Sequence, residues 1–424
     1  MSLSGVTHVV GAGLSGLACA TRLATAGHTV ILYEATDHAG GRCRSWHDTL
    51  LERIIDNGNH LILGANQECM TYLARIGGAG ELLAIDPVAL PFQDLADGSA
   101  WTLRPGAGRI PFWLADPARR VAGAGPIDHL GVLALALAGP SRTVADMLRA
   151  DDVITRRLWK PLAVSILNTP WDTASARLLW GVLRRTLLGG SDACRPFIAG
   201  PGGLSGALVG PALTVLARSG AAVRFGHRLR AVERAGDGTI AALRFTDGRQ
   251  VALDRADCVI LALPADATGA LLPDIPVPDA FHAILNAHFR LGAPVRLPAG
   301  MPLVGLVGGV TEWLFARGDV LSATVSAADV HMDRPNDDLA RLLWAEAARV
   351  LDLPPAPVPP CRIVKERRAT FAATPAQNRR RPGPAQGRNL ILAGDWTATG
   401  LPATIEGAIL SGHRAAELAM RRPV

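Results

Sequence analysis

Three glycines near the start of the chain have the spacing of a phosphate-binding turn. Gly11, Gly13 and Gly16 form G-x-G-x-x-G between the apolar run "HVV" and a helical pattern of small and apolar residues. The first glycine permits a tight bend, the second lets the backbone approach a pyrophosphate, and the third lets helix and strand pack closely. Glu34 ends the next strand pattern, "TVILYE", where a carboxylate can bind ribose hydroxyl groups. The alternative is a glycine-rich packing turn. The residues that we expect at a dinucleotide are Gly11, Ala12, Gly13, Leu14, Ser15, Gly16, Glu34 and Ala35.

Two polar side chains in apolar surroundings could also take part in chemistry. His60 lies in "IDNGNHLILG", and a histidine can give or take a proton near neutral pH, although a lone histidine is often only a hydrogen-bonded structural group. Asp395 follows the apolar run "LILAG" near the end of the chain. An aspartate there either caps a loop or belongs to a site whose other half lies far away in the sequence.

Such a site needs strands that bring the two ends of the chain together. Buried-strand patterns stand at "HVV", "TVILYE", Cys258–Leu263 and "NLILAG", and a helix is predicted from about Thr404 to the end. The intervening sequence is helical in pattern from about 105 to 200, and mixes strands with one clear helix, Asp337–Leu351, from about 276 to 384. These patterns predict an α/β plus α+β fold, in which a Rossmann-type dinucleotide-binding domain carries an inserted mixed-sheet substrate domain and a helical cap.

The expected domain boundaries follow from the same patterns. The dinucleotide-binding domain is predicted to be discontinuous and to comprise residues 1–85, 203–275 and 385–424. The substrate-binding domain is predicted to comprise residues 86–104 and 276–384. The helical, membrane-facing cap is predicted to comprise residues 105–202.

The composition narrows the class of protein. Apolar residues make up 49% of the 424 residues and charged residues only 19%, so the chain has an apolar surplus that can face an apolar ligand or a membrane. The net charge of +6 would attract nucleic acid or anionic lipid non-specifically. No basic helix, zinc-ligand spacing or aromatic RNA-binding signature accompanies this charge, so we expect neither a nucleic-acid partner nor a bound metal.

Cysteine usage and apolar runs predict where the protein resides. The six cysteines stand apart without a C-x-x-C pair, which is typical of reduced structural thiols in the cytoplasm. A polar start runs directly into the glycine motif, unlike a signal peptide. The longest apolar runs, Leu130–Gly139 and Met301–Val310, are about ten residues, whereas a spanning helix needs roughly 20. We therefore predict a cytoplasmic protein without a transmembrane helix.

Three further motifs carry a resemblance to a known superfamily. "AGGRCRS" resembles the second motif of flavoproteins related to amine oxidases and phytoene desaturases, "IDNGNHLILG" resembles their segment beside the isoalloxazine ring, and "GD" before a helix resembles their C-terminal motif. The resemblance implies FAD as the cofactor and a glutathione reductase-like FAD-binding domain, with the last helix directing its positive end at the flavin pyrimidine. The residues that it adds to the cofactor site are Gly40, Gly41, Arg42, Asn57, Gly58, His60, Val232, Gly394, Asp395, Thr404 and Ile405.

Longer segments narrow the resemblance to one family. "LNTPWDTASA", "PLVGLVGGVTEWLF", "RRATFAATPAQNRRRPG" and "GDWTATGLPATIEGA" resemble the hydroxysqualene dehydroxylases, FAD-dependent enzymes of squalene and hopanoid biosynthesis. The resemblance runs from about residue 7 to 418. It implies reductive removal of the hydroxyl group of hydroxysqualene, an allylic triterpenoid alcohol, to give squalene.

That reaction sets three requirements. A hydride must pass from flavin N5 to the allylic carbon, the departing hydroxyl must receive a proton, and a dry tunnel must hold the long chain. The candidate acids are, in falling order, His60, Glu406 and Asp395, with a bound water as an equal candidate. The candidate wall residues, each of which could equally be a core residue, are Trp159, Trp171, Trp180, Trp313 and Phe315. An external reductant for FAD is also implied.

Three other functions remain possible from the sequence. A carotenoid-type desaturase would use the same FAD motifs in the oxidative direction. A flavin amine oxidase is disfavoured, because it commonly has an aromatic pair at the flavin and the two tyrosines, Tyr33 and Tyr72, both lie far from the C-terminal motif. The third possibility is a non-catalytic flavin-binding partner of other squalene-forming enzymes.

The implied substrate also predicts a location at a membrane surface. Hydroxysqualene is a bilayer-soluble molecule, so we expect peripheral association with the inner face of the cytoplasmic membrane, and possible association with other squalene-forming enzymes. "HLGVLALALAG" lies near Arg119, Arg120 and Arg142. This pattern predicts either an apolar helix that dips into the interface or a buried helix of the cap.

Overall fold

The fold is taken from a computed structural model, which describes residues 5–108, 110–187 and 189–422. The strands of these ranges are, in chain order, β1 (Thr7–Val10), β2 (Val30–Tyr33), β3 (Ser45–Asp48), β4 (Arg53–Asp56), β5 (Ile62–Leu63), β6 (Leu82–Ala84), β7 (Leu90–Asp94), β8 (Ala100–Leu103), β9 (Pro196–Ala199), β10 (Ala222–Arg224), β11 (Leu229–Arg234), β12 (Ile240–Phe245), β13 (Gln250–Ala252), β14 (Cys258–Leu261), β15 (Phe281–Arg290), β16 (Leu303–Val307), β17 (Trp313–Arg317), β18 (Val320–Val325), β19 (Cys361–Phe371) and β20 (Leu390–Leu392).

The α-helices of the same ranges are α1 (Leu14–Thr25), α2 (Gln67–Ile76), α3 (Pro126–Leu130), α4 (Lys160–Leu167), α5 (Ala176–Leu187), α6 (Gly190–Cys194), α7 (Gly203–Leu208), α8 (Gly210–Arg218), α9 (Ala265–Leu271), α10 (Asn336–Val350), α11 (Pro375–Arg379) and α12 (Ile405–Met420). Short 3₁₀ segments lie at Ala79–Glu81, Phe112–Ala115, Pro117–Arg119, Gly131–Leu137, Pro298–Gly300 and Ala328–His331, and a π-helical turn lies at Thr155–Trp159.

A five-stranded parallel sheet joins the two ends of the chain. Its order is β10-β2-β1-β14-β20, so the central strand β1 lies between β2 and β14. Because all the strands run in parallel, the residues that follow them lie along one edge of the sheet. Gly11, Glu34 and Gly394 follow β1, β2 and β20 at or near this edge. The parallel register therefore gathers sequence segments from both ends of the chain.

A seven-stranded mixed sheet forms a second layer of the molecule. Its order is β19-β15-β18-β17-β16-β7-β8, with β16 and β7 parallel and the other neighbours antiparallel. The apolar face of α10, with Leu339, Leu343 and Trp344, packs on this sheet around Leu285 and Leu321. This face of the sheet thus has a core of its own, whereas β7, β8 and the end of β19 share a second cluster with the parallel sheet and the cap.

Close helix packing depends on two glycines of distant segments. A Cβ at Gly16 of α1 would lie 1.9 Å from the carbonyl oxygen of Gly11, and a Cβ at Gly412 of α12 would lie 2.2 Å from that of Ser15. Both distances are shorter than any real contact, so only glycine lets α1 approach β1 on one side and α12 on the other. The C-terminal helix is therefore held against the glycine turn.

The predicted elements are present, with shifted ends. The expected helix Asp337–Leu351 is α10, Asn336–Val350, and the expected strand Cys258–Leu263 ends at Leu261. The apolar run that was expected to form a helix is α3 followed by the 3₁₀ segment Gly131–Leu137. In the ranges that the structure describes, none of the helices combines the length and apolar character that a bilayer-spanning segment needs.

Candidate functional site

The glycine turn presents the free end of a helix. Gly11 has a φ of +105°, a left-handed conformation that favours glycine. Gly13 is the N-cap of α1. Among the residues that the structure describes, none offers a side-chain hydrogen bond to this helix end, and a Cβ on Gly13 would meet no atom within 4 Å. Leu14 and Ser15 follow as buried residues of the first turn. The amino end of α1 therefore offers backbone N–H groups suited to an anion.

Glu34 lies beside this turn, directly after β2. Its Oε2 accepts a hydrogen bond from the Ala12 amide at 2.9 Å, and its Oε1 accepts from the amide and hydroxyl of Thr36, each at 3.0 Å. Ala35, between Glu34 and Thr36 in the sequence, is half-buried. The His227 amide donates to the Glu34 carbonyl at 2.8 Å, so the chain that leads into β11 passes close to Glu34. Val232, on β11, is half-buried and pairs with Leu243 of β12.

The second glycine motif closes over the first. The Gly40 amide donates to the Ala12 carbonyl at 2.8 Å, and a Cβ on Gly41 would lie 3.4 Å from Cα of Gly13. Gly40 and Gly41 have φ values of +106° and +57°. Their conformation lets the two loops lie against each other, which brings Arg42 to the edge of the parallel sheet.

Arg42 connects three parts of the molecule. Its guanidinium donates to the Asp395 carboxylate at 2.7 Å and also to the Ala369 carbonyl on β19. The Asp395 side chain is buried, whereas that of Arg42 is about 42% exposed. The pair joins the amino-terminal motif to the C-terminal motif and to the mixed sheet.

A buried arginine organises the loop between β20 and α12. The Arg381 guanidinium donates to the carbonyls of Asp395, Trp396 and Thr397 and to the Thr399 hydroxyl. Burial lowers the pKa of Arg381 to about 10, with Asp395 opposing that shift. Gly394, at the start of the loop, donates its amide to the Ser411 hydroxyl of α12 at 2.9 Å. The loop is therefore fixed from both sides.

Thr404 caps the amino end of α12, and Glu406 in the first turn of that helix contacts α2 and α5. Thr404 is the N-cap and its hydroxyl accepts from the Gly407 amide at 3.0 Å, whereas Ile405 begins the helix. The Glu406 carboxylate accepts from the amides of Glu68 and Cys69 in the first turn of α2, at 3.2 and 3.0 Å, and pairs with Arg185 at 3.2 Å. Burial raises the pKa of Glu406, and these partners oppose the rise. Glu406 thus links α12, α2 and α5.

His60 faces a small polar cavity. The cavity, about 20 Å³, has the room of one water molecule and is lined by Asp56, Asn59, His60, Ile198, Ala199, Phe315, Ala316, Arg317 and Ser322. Asp56 accepts from Arg317 at 2.6 Å and from the Leu204 amide at 2.8 Å. Burial lowers the pKa of His60, and Arg42 lowers it further while Asp56 opposes the shift. The shift favours the neutral imidazole.

The loop before His60 is held by the mixed sheet. Asn286 of β15 donates to the Asn57 carbonyl at 3.2 Å, and its own side-chain oxygen accepts from Thr324 at 2.8 Å. A Cβ on Gly58 would lie 3.3 Å from the Asn286 amide nitrogen. The Asn57 side chain donates to Glu366 at 3.4 Å. Asn286 therefore sets the position of the Asn57–His60 backbone.

The predicted aromatic wall residues fall into two groups. Phe315 lies with His60 at the small cavity, and Trp313 is 6.3 Å from Phe315 between ring centres and donates to Ser165 at 3.0 Å. Trp159 is buried in the cap core, where its indole N–H finds no partner among the described residues. Trp171 and Trp180 are half-buried and pack on the same core. Of the five, Phe315 lines the cavity with His60, and Trp313 lies beside Phe315.

Sequence reasoning missed several residues that position the site. Arg381 and Arg185 gave no individual signal, because each stands next to other arginines, and Asn286 is a single polar residue in an apolar stretch with no local indication of its partner. Arg381 follows two exposed arginines in the run "NRRRPG". Only the fold distinguishes the buried guanidinium from its neighbours.

Comparison with known proteins places this site in a family. The profile described as "Flavin containing amine oxidoreductase" matches residues 14–122 and 146–420. The chain is 46% identical to the hydroxysqualene dehydroxylase of Rhodopseudomonas palustris, over 99% of each chain. It is 44% identical to that of Sinorhizobium fredii, over 97% of this chain and 98% of the other. The 15-cis-phytoene desaturase of Synechococcus elongatus is 24% identical, over 98% of this chain and 95% of the other.

Solved structures share the fold at low identity. A putative protoporphyrinogen oxidase from Exiguobacterium has a TM-score of 0.66 and 18% identity, and the match covers 98% of this chain and 99% of the other. A putrescine oxidase solved with bound putrescine has a TM-score of 0.67 and 17% identity, over 99% of this chain and 100% of the other. The expected fold class, with its Rossmann-type FAD-binding unit, is confirmed by these matches.

Proposed function

Because the chain belongs to the hydroxysqualene dehydroxylases, within the flavin-containing amine oxidoreductases, we propose that it reduces hydroxysqualene to squalene. It is an FAD-dependent oxidoreductase. The observation that carries the proposal is the identity of 46% over 99% of the chain, because this match includes the cap and mixed sheet as well as the cofactor motifs.

The residues at the sheet edge fit FAD. The uncapped amino end of α1, the open space at Gly13 and the half-buried Glu34 provide N–H donors for a pyrophosphate and an acceptor for ribose hydroxyls. We propose that Arg42 and Asp395 hold the ribityl and phosphate region, and that Thr404 and Ile405 direct the positive end of α12 at the pyrimidine. When bound in its reduced form, FAD supplies the hydride that replaces the hydroxyl group.

The chain must also supply the proton that leaves with the hydroxyl as water. Asp395 is paired with Arg42, and both Glu406 oxygens accept backbone N–H groups. His60 has an adjoining cavity with room for one water. We propose that the His60 imidazole orients the hydroxyl, and that the proton comes from the protonated form of His60, or from a water that Asp56 and His60 hold, and is replaced from solvent.

We propose that the substrate chain lies between the cap and the mixed sheet. Trp313 and Phe315 form the wall nearest His60, together with Leu61 and Ile198. Trp159, Trp171 and Trp180 line or support the cap side of this space. The domain boundaries stated above are part of this proposal: the parallel sheet carries FAD, the mixed sheet carries substrate, and residues 105–202 cover both.

The proposal includes partners beyond the substrate. Hydroxysqualene partitions into bilayers, so we propose a protein in the cytoplasm that associates peripherally with the inner face of the cytoplasmic membrane. An external reductant reloads FAD, and other squalene-forming enzymes would be natural neighbours because they pass on an apolar intermediate.

Product analysis tests the function directly. Purified protein with bound FAD, a chemical reductant and hydroxysqualene in detergent should yield squalene, identified by mass spectrometry. Heat-denatured protein with the same additions is the control. Absence of squalene while the flavin is reduced and reoxidised would disprove the dehydroxylase proposal.

The desaturase relative supports a second candidate only distantly. A desaturase would oxidise phytoene or another polyprenyl chain and would need an electron acceptor instead of a reductant. The same preparation should therefore give no desaturated product from phytoene with a quinone acceptor. The reverse pattern would favour the desaturase.

A further inference from the structure

Six large apolar side chains are exposed within a short part of the cap. We call this set the cap face. Its members, with their exposed fractions, are Ile110 (63%), Phe112 (78%), Ile127 (82%), Leu130 (44%), Leu133 (44%) and Leu137 (86%). Exposed apolar residues scattered singly are ordinary on protein surfaces, whereas a contiguous group indicates a binding surface.

Internal hydrogen bonds hold the elements of the cap face together. Arg120 donates to the Leu114 carbonyl, in the segment after Phe112, and to the Ala124 carbonyl, just before α3. His129 of α3 accepts from the Val121 amide at 3.4 Å. Arg120, which the sequence suggested as an interfacial charge, is therefore used within the cap. The segments that carry Phe112 and Ile127 form one structured unit.

The spacing of exposed and buried residues gives this unit two faces. Ile127, Leu130 and Leu133 are exposed at intervals of three, and His129, Val132 and Leu135 are buried at the same interval. An interval of three matches the 3₁₀ geometry of Gly131–Leu137, in which side chains three apart point the same way. The apolar run is thus divided between the cap core and the surface.

Two exposed arginines belong to the segments around the cap face. These arginines, Arg104 and Arg142, stand just before and just after the cap face residues in the sequence. Other basic residues of the cap do not add to it, because Arg157, Arg185 and Arg195 pair with carboxylates outside the cap. Asp116 and Asp128 lie within it, and each accepts a backbone N–H of its own turn. The face therefore combines exposed apolar side chains with two exposed arginines.

The cap face lies one helix away from the site. The segment Gly131–Leu137 packs on α5. On its site side, α5 has Gly181, where a Cβ would lie 2.6 Å from the carbonyl oxygen of Gly400 in the loop that Arg381 holds. A molecule that arrives at the cap face is therefore close to the candidate substrate space.

We propose that the cap face inserts its side chains into the headgroup and acyl boundary of an anionic bilayer, with Arg104 and Arg142 at the phosphates. This proposal rests on the proposed function in one respect: an apolar substrate must pass from a bilayer to the site. Its evidence is independent: short 3₁₀ segments with projecting apolar side chains and exposed arginines suit shallow insertion. An anionic bilayer matches both the exposed apolar side chains and the exposed arginines.

Vesicle sedimentation tests the proposal without substrate. The full-length protein with FAD is mixed with vesicles of phosphatidylcholine containing phosphatidylglycerol, and with vesicles of phosphatidylcholine alone. We expect binding to the anionic vesicles, and a decrease of about tenfold or more in the partition coefficient for the double variant Phe112→Asp/Leu137→Asp. The matched control is Val330→Asp, because Val330 is also 82% exposed but lies outside the cap. It should bind as the wild type does.

Three outcomes would overturn the proposal: no binding of the wild type, equal binding of the double variant, or equal loss in the control. Circular dichroism melting verifies that the variants fold, and Ile127→Ser with Leu133→Ser provides a second, milder pair. If the double variant instead converts a dimer to a monomer in light scattering and still binds vesicles, the face is a contact between copies of this chain. Squalene formation in detergent separates the two proposals, since the double variant should retain it.

Discussion

The Arg42 guanidinium and the Asp395 carboxylate, 353 residues apart in the sequence, lie 2.7 Å apart at the edge of the parallel sheet. The carboxylate is buried, so removal of the arginine would leave a charge without its partner. We expect Arg42→Met to weaken FAD binding and to lower the free energy of unfolding by about 1–3 kcal/mol. Flavin fluorescence titration and urea unfolding measure the two effects.

A double-mutant cycle distinguishes pairing from a general loss of stability. Arg42→Met/Asp395→Asn should be more stable than Arg42→Met alone, because the buried charge is gone. The control is Arg149→Met, since the pair of Arg149 with Asp152 is exposed and should contribute little. Equal and additive losses in the cycle would contradict a direct interaction.

Arg381 offers a test of how the loop before α12 is positioned. Its guanidinium donates to four acceptors of the loop and also to the Asn378 side chain, a set of bonds that a lysine ammonium cannot match. We therefore expect Arg381→Lys to lose FAD on gel filtration and to shift the visible flavin spectrum, even where the protein stays folded. Arg379→Met, at an exposed neighbour, is the control. An unchanged spectrum in Arg381→Lys would show that the loop holds its shape without these bonds.

His60 should affect turnover more than FAD binding. Loss of a proton-transferring group typically costs on the order of 100-fold or more in rate, so we expect such a decrease in kcat for His60→Ala with FAD content unchanged. Burial lowers the pKa of His60, so a pH limb that belongs to it should lie below pH 6.5, the ordinary value. The measurement is kcat/KM against pH for both proteins. A limb that persists in His60→Ala belongs to another group.

His288 should make stability depend on pH. Its Nδ1 lies 2.7 Å from the Ser322 hydroxyl, its Nε2 is buried, and burial lowers its pKa to about 4. The unfolded chain takes up a proton below the ordinary value of about 6.5, whereas the folded protein resists it until about pH 4. The contribution of His288 to the free energy of unfolding is therefore fully present above pH 6.5. It decreases by on the order of 3 kcal/mol as the pH falls to 4.

Urea unfolding at pH 7 and pH 4.5 measures this decrease. His288→Asn lacks the titrating group, so its stability should fall less between the two values, whatever its stability at pH 7. The difference between the two decreases in the free energy of unfolding removes the contribution of other titrating groups. A parallel decrease in both proteins would exclude His288 as the source.

Local sequence patterns were sufficient to predict several strands and helices of the FAD-binding domain. The glycine spacing, the strand patterns and the final helix each depend on neighbours in the sequence, and β1, α1, β2 and α12 formed where they were expected. The family was also accessible, because long specific segments identify it. Side-chain partners were less accessible: the contacts of Glu406 with the first turn of α2 and with Arg185 have no signal in the sequence.

The parallel sheet, the FAD motifs and the family were predictable from the sequence, because hydrophobic period, glycine spacing and segment length are properties of contiguous residues. Tertiary packing determines that Arg381 is buried while Arg379 and Arg380 are exposed. It also determines that Asp395 pairs with Arg42, and that Leu135 lies in the core while Leu137 reaches solvent. Burial and pairing depend on which distant segments pack together, and residues of the same type in one run carry no local signal of that.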